Sequence, residues 1–110
     1  MSALTSIAEL RVDLPREAVV GFCRKWRIVR LEVFGSALRP DFGVRSDVDL
    51  LVTFAADARW SLIDHARMEN ELAQLLGRDV DLVTRRSVEQ SRNWIRRREI
   101  LSTARTLYAA

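Results

Sequence analysis

The stretch that decides the fold is LEVFGSALRPDFGVRSDVDLLVTF, residues 31–54. Arg30–Phe34 alternates apolar and polar side chains, as a strand with one buried face does, and the pattern stops at Gly35-Ser36. Ten residues after Ser36, Asp47-Val48-Asp49 leads into an apolar run over roughly Val48–Phe54, the composition of a strand buried on both faces. Two strands joined by a polar, glycine-containing connection are the centre of the molecule.

Helices are read on either side. After Asp13, Pro15 falls near a first helical position with Glu17 in the first turn, and Val19, Phe22, Cys23 and Trp26 follow at helical spacing. Downstream, a helix from about Ser61 to Leu76 closes on Gly77 as its C′ residue, and a short strand, Val80–Val83, comes next. Ser87 and Gln90 have capping-box spacing and predict one last helix to about Leu101 or Ser102, after which Thr106–Tyr108 adds a final edge strand. The expected architecture is α/β (α+β), a small mixed sheet of three to four strands flanked by helices. One domain over 1–110 holds it, with a motif core at about 30–84 and a basic helix at about 87–102.

Composition narrows the class. With 48% apolar and 30% charged residues the 110-residue chain reads as an ordinary soluble globular domain, and no apolar run approaches the ~18 residues of a membrane span. The first turns carry Glu9 and Arg11, which do not suit a signal peptide, and the single Cys23 has no disulfide partner, so a cytoplasmic setting is expected. The net charge of +3 is uneven: residues 85–105 carry seven arginines against two glutamates, and the rest of the chain is net negative. Charge this local suits an acidic partner surface or phosphates; direct nucleic-acid binding is possible but not favoured.

The acidic residues carry the chemistry. Asp47 and Asp49, i and i+2 on a strand, project to one side with their Cβ atoms roughly 7 Å apart. Carboxylates so placed can hold hard cations such as Mg²⁺, and Asp81 in the next predicted strand supplies a third. An isolated Asp-x-Asp usually just starts a strand. Here it follows strand, Gly-Ser and a fixed spacing. Glycine lets the backbone approach a phosphate closely, and the Ser36 hydroxyl adds a donor.

This stretch, with ELAQLLGRDVDLVT behind it, resembles the minimal nucleotidyltransferases of the polymerase-β-like superfamily, whose signature is Gly-Ser, ten residues, Asp-x-Asp. The resemblance runs from about Pro15 to Tyr108. It implies that Asp47, Asp49 and Asp81 are the catalytic and metal-binding triad, holding two Mg²⁺, and that Gly35 and Ser36 contact the phosphates of ATP, the nucleotide donor. Asp79 is the rival for the third place. Many members read Gly-Ser-Arg-Ala-Arg-Gly, whereas this chain has Ala37, Leu38, Arg39 and Pro40; Arg39 keeps the second arginine, near the leaving pyrophosphate. Small chains of this type resemble the antitoxins of two-gene pairs whose toxin is a HEPN-domain ribonuclease. The implied reaction is transfer of AMP to a tyrosine of that toxin. Transfer to a small-molecule hydroxyl, or neutralisation by contact alone, are the alternatives. The Arg85–Arg105 segment is the candidate docking surface.

Other conspicuous residues have plainer readings. His65 is expected to be structural, Cys23 a small core residue, and Trp26 and Trp60 packing groups; Trp94 is expected in the core before it is expected at an interface. Tyr108 has nothing beyond its hydroxyl to recommend it as a site of modification.

Overall fold

The computed structural model describes residues 15–35 and 47–110, together with the backbone of Ala3–Leu4. Strands β2 (Ile28–Phe34) and β3 (Val48–Phe54) run antiparallel, with Phe34 opposite Asp49 and Glu32 opposite Leu51. Strand β4 (Val80–Thr84) lies parallel to β3, with Asp81 opposite Asp49. Strand β5 (Arg105–Ala109) pairs antiparallel with β2, and the two-residue β1 (Ala3–Leu4) lies beyond it, so the sheet order is β1-β5-β2-β3-β4. The mixed sheet expected from sequence is present. β5, expected at the sheet's edge, is instead an interior strand flanked by β2 and β1, which only the spatial return of the chain could show.

Helices cover both faces. α1 (Arg16–Lys25) and α2 (Leu62–Leu76) bury Val19, Phe22, Cys23, Met68 and Leu72 against one face, where Leu31, Val33, Leu50, Val52 and Leu82 meet them. Burial pushes the Cys23 thiol up to about 12, so it stays protonated, as an inert core group does. Ser61 caps α2 through a reciprocal capping box with Asp64, and Gly77 ends the helix in the left-handed region at φ 68°. The Ser61 hydrogen bonds hold the Asp64 carboxyl below its ordinary value. Trp26 and Trp60 pack edge to face with ring centroids 5.1 Å apart, the packing role expected of them.

The predicted helix over 87–102 is two helices, α3 (Arg85–Glu89) and α4 (Trp94–Thr103). Thr84 Oγ1 accepts from Ser87 N, and Asn93 Oδ1 accepts from Arg96 N, so the caps are Thr84 and Asn93 rather than Ser87. Ser91 and Asn93 compete for the backbone between them, Asn93 N donating to Ser91 Oγ, and so interrupt the helix. α3 and α4 cover the second sheet face through Val88 and Ile100, which pack with Phe34 and Leu51. Trp94 and its neighbour Ile95 are 59% and 62% exposed, so Trp94 is not a core residue.

β4 has no strand on its outer side among the described residues. Its outward main-chain groups are covered by α2 instead: Leu82 N donates to Glu69 Oε2 at 2.8 Å, and Leu82 O accepts from His65 Nε2 at 2.6 Å. Side-chain capping of this kind blunts an edge strand. His65, expected to be structural, is occupied there.

Candidate active site

The end of β2 and the starts of β3 and β4 meet at one edge of the second sheet face. Because side chains alternate along a strand, Asp49 shares its face with Leu51, and Asp81 shares its face with Val83, both of which pack toward α3 and α4. Asp49 and Asp81 are direct partners across neighbouring strands, whose spacing is about 4.8 Å. Asp47 lies exposed immediately before β3, on the approach to the same edge. Asp79, the rival third carboxylate, precedes β4 at the turn and uses its carbonyl to accept from Val48 N at 2.9 Å. Register therefore sets Asp81, not Asp79, beside Asp49.

Gly35 follows β2 at φ 73°, the left-handed region that glycine adopts without strain. A Cβ added there would stand 2.4 Å from Asp49 Oδ2. The carboxylate and the glycine backbone are thus in contact, and the motif's two halves, eleven residues and more apart in sequence, close on each other. Ser36 and Arg39 lie outside the described residues.

Carboxylates are the donor set that Mg²⁺ uses, typically one or two from protein with substrate phosphates and water for the rest. The Asp49–Asp81 pair at the Gly35 backbone fits that pattern. Among the described residues no group of three or more acidic, histidine or cysteine side chains is already gathered into a cage.

Two features were not legible beforehand. Glu32 is 3% exposed on the same sheet face, where Arg85 Nη1 donates to its Oε1 at 2.7 Å and Arg30 Nε lies 3.3 Å away. An acid alternating with Leu31 and Val33 signals a solvent face, and only the placement of α3 over it makes it buried. A pocket of about 310 Å³ also opens between α3 and α4, lined in part by Val83, Ser87, Ser91, Asn93, Arg96 and Arg97. Val83, one of its lining residues, is two positions beyond Asp81 on the same face of β4.

The fold thus sets a pair of strand-borne carboxylates against a glycine backbone at one edge of the sheet. The model of the nucleotidyltransferase domain matches residues 16–105, and the chain belongs to that family. It is a nucleotidyltransferase. It is 33% identical over 79 residues to a Methanocaldococcus jannaschii chain named "putative protein adenylyltransferase", covering 72% of this chain and 83% of that one. Among solved structures it is similar to a "putative minimal nucleotidyltransferase", at 39% identity and TM-score 0.63 over 84% of this chain and 88% of the other. It shares its fold with a chain of a toxin–antitoxin complex solved with AMP-PNP, at 24% identity and TM-score 0.66 over 88% and 75% of the two chains. The fold recurs in the complex of a tri-AMPylated Shewanella oneidensis HEPN toxin with MNT antitoxin, at 23% identity and TM-score 0.58 over 86% and 69%.

Proposed function

We propose that this nucleotidyltransferase moves AMP from ATP to a tyrosine hydroxyl of a cognate HEPN-type ribonuclease toxin, and that it is that toxin's antitoxin. The observation that carries the reading is Asp49 standing opposite Asp81 with the Gly35 backbone against its carboxylate. The names of the relatives support a protein acceptor, and the fold shared with toxin–antitoxin complexes supports the partner class.

Asp47 and Asp49, with Asp81, would hold Mg²⁺, which neutralises triphosphate charge and stabilises the entering and leaving oxygens. The Gly35 backbone admits the phosphates at close range, with Ser36 and Arg39 supplying a hydroxyl donor and a positive charge to them. Asp81 orients the acceptor hydroxyl and takes its proton. The hydroxyl oxygen then bonds to the α-phosphorus in line as the bond from that phosphorus to the bridging oxygen breaks, and pyrophosphate leaves.

The acceptor protein would dock on α3 and α4. Trp94 and Ile95 are exposed there, and Arg86, Arg92, Arg96 and Arg98 form no ion pair among the described residues. Aromatic and arginine side chains are enriched at such interfaces. No helix among the described residues is long and apolar enough to cross a membrane.

Transfer of label from α-labelled ATP with Mg²⁺, to lysate from the protein's own source, tests the reading. One labelled protein band is expected, lost when Asp47→Asn and Asp49→Asn are combined. Label only in a small molecule would replace the protein acceptor, and partner capture without any label would make this an antitoxin acting by contact.

A further inference from the structure

Among the described residues, β4, which carries Asp81, is the sheet's terminal strand on that side, with β3 as its strand partner. A terminal strand frays more readily than an interior one, and fraying here would change the separation of Asp81 from Asp49. The next residue is where the strand is secured. Leu82 is 3% exposed beneath α2, and both of its main-chain groups are bonded to α2 side chains, the N–H to Glu69 Oε2 at 2.8 Å and the C=O to His65 Nε2 at 2.6 Å. Residues 65 and 69 are i and i+4, one helical turn apart on the same face of α2. The helix therefore grips the two peptide units that flank Leu82, the residue that follows the carboxylate.

We infer that Glu69 and His65 are positioning residues for the metal site: through Leu82 they fix Asp81 at the distance from Asp49 that a divalent cation requires. The inference rests on the role proposed above for Asp81. Neither side chain touches the cation or the substrate. Both act through the main chain, so what matters is the hydrogen bond each makes, not its charge. Glutamine at position 69 keeps an acceptor for Leu82 N–H, and glutamine at position 65 keeps a donor for Leu82 C=O; alanine at either position keeps neither.

Three readouts on the purified 110-residue chain separate positioning from simple edge protection: amide hydrogen exchange at Leu82, Mn²⁺ affinity by electron paramagnetic resonance, and the Mg²⁺ concentration giving half-maximal transfer. Glu69→Ala and His65→Ala are each expected to speed Leu82 exchange and to weaken Mn²⁺ binding by about tenfold, as loss of a residue behind a metal ligand does. Half-maximal Mg²⁺ should rise in step while KM for ATP at saturating Mg²⁺ stays put. Glu69→Gln and His65→Gln should restore all three. Faster Leu82 exchange with unchanged Mn²⁺ affinity would reduce the grip to protection of the strand edge and overturn the inference. Asp81→Asn serves as the separate control: unchanged Mn²⁺ affinity in that variant would overturn the role of Asp81 itself, and the inference with it.

Discussion

A methyl group at Gly35 would meet Asp49 Oδ2 at 2.4 Å, closer than non-bonded atoms approach. The same methyl at Gly77 would meet nothing within 4 Å, although both glycines have φ near 70°. The two positions share a backbone requirement and differ only in what stands beside them. Gly77→Ala is expected to cost about 1 kcal/mol of stability, the strain of an alanine in the left-handed region, with transfer activity unchanged. Gly35→Ala carries the same strain and must also displace the Asp49 carboxylate, so activity should fall at least tenfold beyond any change in melting temperature. Equal activities in the two variants would show that the Gly35–Asp49 contact is unimportant. At this scale the sequence supplied the candidate site residues. The Gly-Ser to Asp-x-Asp spacing singled out Gly35, Asp47 and Asp49, and the later strand singled out Asp81. It was silent about Glu69, which is one of several polar residues on an amphipathic helix until Leu82 is known to lie against it.

Between elements, the contact of α1 with α2 is pH-sensitive through Glu71. Burial works to raise the Glu71 carboxyl, but the hydrogen bonds from Lys25 and from Trp26 Nε1, with the Lys25 charge, outweigh it and hold the group below its ordinary value of 4.5. A carboxylate depressed in the fold stabilises the protein above the unfolded value and loses that contribution as pH falls toward the folded one. Denaturant titrations should therefore show stability declining below about pH 4.5, and Glu71→Gln should flatten that decline. At neutral pH the same variant should cost about 0.5–1 kcal/mol, the scale of a partly exposed ion pair. An undiminished acid limb in the variant would move the effect to other carboxylates, Asp64 at the α2 cap first among them. The elements themselves were readable where periodicity and caps agreed. β3 begins and ends at the expected residues, and α2 runs from its Ser61 cap to Gly77. The break between α3 and α4 was not, because Ser87 with Gln90 imitates a capping box. Thr84, the last residue of β4, and Asn93 take the capping role instead.

Across the whole molecule, the ion pair of Arg85 with Glu32 ties the chain after β4 back over β2. Glu32 is 3% exposed, and its Oε1 accepts from Arg85 at 2.7 Å with Arg30 Nε 3.3 Å from the same oxygen. Arg85→Ala should destabilise the protein by about 3 kcal/mol, because it leaves a buried carboxylate short of its main partner. Glu32→Leu combined with Arg85→Leu should cost less than the single change, since an apolar pair of similar volume carries no desolvation penalty. Chemical denaturation of the three proteins checks the order; a double variant less stable than Arg85→Ala would mean that the pair contributes net stability of its own.

What the sequence determined by itself was local: the alternating strand, the doubly buried strand, the helix with its cap and terminal glycine, and the acidic residues worth watching. Each depends on interactions among residues near in the chain, or on a face being apolar whatever covers it. Only the tertiary structure decided the strand order, the interior place of β5, the burial of Glu32 and the exposure of Trp94. It also decided that Asp81 stands opposite Asp49, with Glu69 and His65 gripping the residue beside it. These depend on pairings between segments distant in the chain or on which face a helix covers, and no short-range pattern encodes them.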